Sequence, residues 1–149
     1  MKITDNRFFL IFVMLLITSC TYDHIFHPIE LKIVGIDYVE DDQLYLSAEI
    51  PKQGKEFHIT GEGEYANMVR VSEVIVDGAL QNDPSMPITS LDGDWGYFDQ
   101  KGNTIYFLIA SNNSNTKRII EFTIGYGYWV RYLRLVQESA YQNTKYEEI

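Results

Sequence analysis

The sequence predicts an antiparallel β-sandwich. From Leu44 onward apolar and polar residues alternate with period two, which buries one face of a strand and wets the other. These runs are short and are separated by clusters of glycine, proline, asparagine and aspartate, the residues that turns require. No stretch of helical period follows Cys20. Eleven tyrosines and two tryptophans suit strands better than helices. Without helices to cover a sheet, two sheets must cover each other.

The first stretch lies outside that fold. Lys2 and Arg7 precede an apolar run from Phe8 to Ile17, and Ser19-Cys20 ends it. A basic segment, a short apolar segment and small residues before a cut mark a secretory signal. The run falls short of the roughly 20 residues a membrane span needs. Leu16-Ile17-Thr18-Ser19-Cys20 resembles the lipobox of bacterial lipoproteins, with Ile17 where leucine is commoner. The resemblance implies cleavage before Cys20, a lipidated thiol and an acylated new N-terminus. The membrane partner would be the outer membrane of a cell envelope, at its surface or its periplasmic face. Each buried methylene contributes about 0.8 kcal/mol, so a multiply acylated cysteine is a lasting anchor. The expected layout is residues 1–19 as signal, 20–28 as lipidated cysteine and tether, 29–137 as the sandwich and 138–149 as a polar tail.

Along the expected domain, Ile29 to Val39 reads as a first strand with Gly35 as a bulge. Leu44, Leu46, Ala48 and Ile50 share one face of the next strand, opposite Tyr45, Ser47 and Glu49. Pro51-Lys52-Gln53-Gly54 turns the chain into Lys55 to Thr60, and the two strands read as a hairpin. Val69, Val71, Val74 and Val76 predict a strand or strand pair that ends at Asp77-Gly78. Ala79 to Asp94 reads as a long polar loop, and Asp92 to Asp99 as a turn leading into a strand. Thr104 to Ala110 is strongly apolar, Arg118 to Ile124 alternates, and Gly125-Tyr126-Gly127 turns into a last strand, Tyr128 to Gln137.

Composition excludes several function classes. The chain has 12 basic and 21 acidic residues, a net charge of -9. Loss of Lys2, Asp5 and Arg7 with the signal makes the mature chain one unit more negative. Nucleic acid is therefore not an expected partner, since it demands a basic patch. The single cysteine is the lipidation site, which leaves none for a disulfide, a thiolate metal site or nucleophilic catalysis. His24, His27 and His58 are too scattered for a metal cluster. The carboxylates from Asp92 to Asp99 depart from the spacing of a calcium loop. Gly61-Glu62-Gly63-Glu64 lacks the lysine and hydroxyl of a phosphate loop. There is no Gly-x-Ser-x-Gly or His-Glu-x-x-His. The expectation is a non-enzyme with no cofactor.

Two segments carry a family resemblance. Leu44 to Thr60 (LYLSAEIPKQGKEFHIT) is similar to the opening hairpin of BACON domains, a short strand, a glycine-bearing turn and a second short strand. Asn112 to Arg118 (NNSNTKR), a strand, a glycine turn and Leu133-Arg134-Leu135-Val136-Gln137 resemble their close. Trp95 falls between them, where the family commonly carries a tryptophan. Gly61 to Asp94 departs from the pattern. The resemblance implies an immunoglobulin-like sandwich of an exported, commonly lipid-anchored protein with a carbohydrate-binding or accessory role. With Leu133 and Leu135 facing the core, Tyr128, Val130, Tyr132 and Arg134 share the outward face. Trp95, Tyr128, Tyr132 and Arg134 are accordingly the candidate ligand-binding residues. Rings there would stack on sugars or only cover the sheet, and Trp95 would be a platform or a core anchor. A structural or protein-interaction module with envelope protein partners is the other expected role.

Overall fold

Alternation of large apolar and polar residues turns nearly every predicted run into a strand in the computed structural model, which describes residues 27–86 and 88–140. The expected signal, Cys20 and most of the expected tail lie outside the described residues. Two sheets form the sandwich. The first contains, from edge to edge, β1 (Glu30–Val34), β4 (Lys55–Glu62), β9 (Thr104–Ile109), β8 (Gly96–Lys101) and β7 (Ser90–Gly93). The second contains β2 (Val39–Glu40), β3 (Tyr45–Ile50), β11 (Trp129–Gln137), β10 (Arg118–Tyr126), β5 (Val71–Val76) and β6 (Ala79–Leu80). In immunoglobulin terms β1, β4, β9 and β8 stand as strands A, B, E and D, and β5, β10 and β11 as C, F and G.

The expected hairpin of β3 and β4 does not form. β3 lies beside β11 in parallel, from Tyr45 opposite Tyr132 to Ile50 opposite Gln137. β4 crosses to the other sheet and pairs with β1 and β9. Leu46, Ala48 and Ile50 then face Phe57 and Ile59 across the core instead of lying next to them. Both arrangements satisfy the same period-two pattern, so alternation alone does not distinguish them. The crossing is tight: Gly54 donates its N–H to the Pro51 carbonyl at 2.9 Å. Its φ of +87° and the Ile109 carbonyl beside it exclude a side chain.

The valine pattern from Val71 to Val76 shifts phase because β5 is bulged. Val71 opposes Ile124 and Glu73 opposes Thr123, so Ser72 is an extra residue. Its hydroxyl donates to the Thr123 carbonyl at 3.2 Å. Val71 and Val74 are both fully buried as a result. The expected loop from Ala79 to Asp94 contains β6 and β7, and the expected turn at its end is the β7–β8 hairpin. β10 runs on through Tyr126, so the reversal into β11 falls at Gly127-Tyr128.

Between the sheets lies an aromatic centre. Phe107 stacks on Phe57 at 4.7 Å and meets Phe122 edge-on at 4.9 Å. Ile59, Ile105, Ile120, Leu133 and Leu135 fill around it. One end of the sandwich is closed by polar side chains that occupy buried backbone groups. The Asn112 amide donates to the Thr116 and Glu138 carbonyls at 2.8 and 3.1 Å. Gln137, with no exposed surface, donates to the Ala110 carbonyl at 2.8 Å and lies 3.3 and 3.4 Å from those of Pro51 and Lys52. The asparagine-rich turn and the glutamine at the end of β11 thus tie the crossover to the closing strands.

Candidate functional site

Antiparallel and parallel registers fix what stands on the outer face of the six-stranded sheet. One row across it runs Glu73, Thr123, Tyr132 and Tyr45. The next runs Ile75, Glu121, Arg134 and Ser47. Parallel pairing of β3 with β11 brings the Tyr45 and Tyr132 rings to 4.8 Å with planes 21° apart. Tyr45 is 49% exposed, so the stacked pair presents its surface to solvent.

Polar groups border these rings. Arg134 Nε lies 3.7 Å from Glu121 Oε1, both side chains about half exposed. An exposed pair of this kind adds little stability. It does offer a guanidinium donor and a carboxylate acceptor beside the rings. Thr123 Oγ1 donates to Glu73 Oε1 at 3.5 Å. The Tyr132 phenol is held above the ordinary tyrosine range, first by burial and then by the neighbouring Tyr45 and Glu73. It is therefore a neutral donor and acceptor at physiological pH. Over β3 a shallow groove of about 900 Å³ extends the face, lined by Arg134 and Val136 of β11 and by Tyr38 and Val39 at the β2 edge.

The four predicted residues do not assemble. Tyr132 and Arg134 stand in adjoining rows of the outer face. Tyr128 is 46% exposed but lies in the reversal before β11, four residues and roughly 13 Å from Tyr132. Val130, expected on the outward face between them, is buried with 5% exposure. Trp95 belongs to the core: it is 2% exposed and meets Phe122 edge-on at 5.7 Å. No face of its indole is open to a ligand, so the surface reading of Trp95 is replaced by the core one. Leu133 and Leu135 do face the core, with 1% and 0% exposure.

Tyr45, Glu121 and Thr123 complete the face and were not singled out from the sequence. Tyr45 was legible as outward-facing, but its partner depends on a parallel pairing that no local pattern specifies. Trp129 also escaped notice; it is half-buried at the start of β11, with the Tyr65 and His27 rings beside it. Among the described residues no group of three or more histidine, cysteine or acidic side chains is placed to hold a metal ion.

No protein-family model matches the chain, and no curated protein does. The fold is similar to the NMR structure of a protein from Bacteroides thetaiotaomicron, with a TM-score of 0.59. The two are 17% identical over 75% of this chain and 89% of that one. A likeness at that identity concerns the sandwich alone.

Proposed function

We propose that the protein is a non-catalytic module, lipid-anchored through Cys20 at the cell envelope, whose six-stranded sheet binds glycan on its outer face. The observation that carries this reading is the solvent-facing Tyr45–Tyr132 stack beside Arg134 and Glu121. Sugar rings have apolar faces that stack on aromatics, and their hydroxyls need donors and acceptors at the rim. The groove beside Arg134 has room for further sugar units. The lipobox and BACON resemblances support an envelope setting.

A glycan array followed by calorimetry on the purified protein tests the proposal. Tyr45→Ala and Tyr132→Ala are expected to weaken binding at least about tenfold, equivalent to about 1.4 kcal/mol. A blank array, or unchanged affinity in both variants, refutes glycan binding. The anchor is tested separately by fatty-acid labelling, which Cys20→Ser should abolish.

Protein interaction is the second reading, favoured by Val39 and Leu80. They are 62% and 51% exposed on the two short edge strands of the same sheet. Edge strands accept partners by strand addition. Envelope proteins that co-purify and survive glycan competition would support this role over the first.

A further inference from the structure

Trp129 lies eight residues before the Gln137 closure along β11, roughly 27 Å away at the other end of the sandwich. A cleft of about 280 Å³ opens there. The Tyr65 ring packs against the indole at 5.1 Å and the His27 ring at 6.1 Å. His27 is held by backbone bonds: its N–H donates to the Tyr128 carbonyl at 2.6 Å, and its carbonyl accepts from Val130 N–H at 3.1 Å. The sandwich therefore already includes His27, within the expected tether.

The remaining lining is Pro28 and three carboxylates, Glu30, Glu62 and Glu64. Glu30 and Glu62 stand directly opposite each other in the β1–β4 register, an arrangement that destabilises a sheet when the charges are alike. Among the described residues no lysine or arginine forms an ion pair with any of these three carboxylates. The cleft thus combines uncompensated negative charge with aromatic walls.

We infer that this cleft binds a small organic cation, an alkylammonium group. Carboxylates supply the attraction at long range. An ammonium within roughly 6 Å of a ring centroid also gains from the ring quadrupole, which an uncharged group of the same shape does not. A metal ion fits less well, since no acidic or histidine group among the described residues has the geometry to hold one. The volume is at the small end for ligand pockets and suits a headgroup. This site is separate from the glycan face and does not depend on it.

Choline and its uncharged tert-butyl isostere are the probes, titrated into the purified protein. Trp95 is buried, so a ligand-induced change in tryptophan emission reports on Trp129. Choline is expected to shift emission saturably, and the isostere to bind at least about tenfold more weakly. The Glu30→Gln, Glu62→Gln double variant should weaken choline about tenfold, leave the isostere unchanged and leave Tm equal or higher, because a like-charge pair is removed. The inference is overturned if choline produces no saturable change, if the isostere binds equally, or if the double variant binds choline as the parent does.

Discussion

Replacing Gln137 by leucine keeps the side-chain volume and removes its polar atoms. Gln137 has no exposed surface, so water does not substitute for the lost amide. Its shortest bond, 2.8 Å to the Ala110 carbonyl, holds an acceptor at the end of β9 to the end of β11. A buried carbonyl left without a donor costs about 1–3 kcal/mol. The Arg118 guanidinium, which donates to Gln137 Oε1 at 3.1 Å, is only partly buried and turns to solvent at little further cost. The expected loss is about 2–3 kcal/mol, read as a lower urea midpoint at unchanged m, and a fall in Tm of roughly 5–15 °C. Gln137→Glu makes the sign explicit. An ionised carboxylate there keeps the Arg118 guanidinium on one oxygen, but the oxygen that replaces the amide faces the Ala110 carbonyl with no proton to donate. This variant should be less stable than leucine at neutral pH and recover as pH falls and the acid becomes a donor. A leucine variant within about 0.5 kcal/mol of the parent would refute the closure as a stabilising device.

Three further outcomes test the fold and the face. Tyr132 should ionise above the ordinary tyrosine value of 10.0, and Tyr132→Phe should remove that phase in ultraviolet difference titration. Its folded-state pKa is raised, so its contribution to stability is present below the ordinary tyrosine value and is lost as pH climbs through the folded one. Trp95→Ala should cost about 3–5 kcal/mol in chemical denaturation, and any glycan affinity should persist wherever the variant remains folded. Gly125→Ala should cost at least about 2 kcal/mol by thermal unfolding, because φ is +120° and a Cβ would collide with the Trp129 carbonyl and approach Ile29 Cδ1 at 2.7 Å.

Faces were legible in this sequence where single-strand alternation decides them. Leu46, Ala48 and Ile50 alternate without interruption and are buried as expected, and Leu133 and Leu135 follow the same rule. Alternation failed where a bulge changes phase, at Ser72, and it did not report that Val130, on the face of Tyr132 and Arg134, is covered there. It was silent on partners. A strand of fixed face pairs equally well with either neighbour until the turn geometry is known, and the Gly54 crossing is what sends β4 to the opposite sheet.

The same distinction explains the candidate site. A core residue is recognised by its own chemistry, since an apolar side chain gains from any apolar environment. A surface ligand site is recognised by adjacency, which register creates. Tyr132 and Arg134 share one strand and were found together; Tyr45 lies 87 positions before Tyr132 in the chain and meets it only through the parallel β3–β11 pairing. Trp129 shows the converse. As the first residue of β11 it falls on the core side of the strand, yet the sandwich ends there and leaves it half-buried, facing carboxylates from β1 and β4. Its partial exposure follows from the end of the sheet, which the alternation of a single strand does not report.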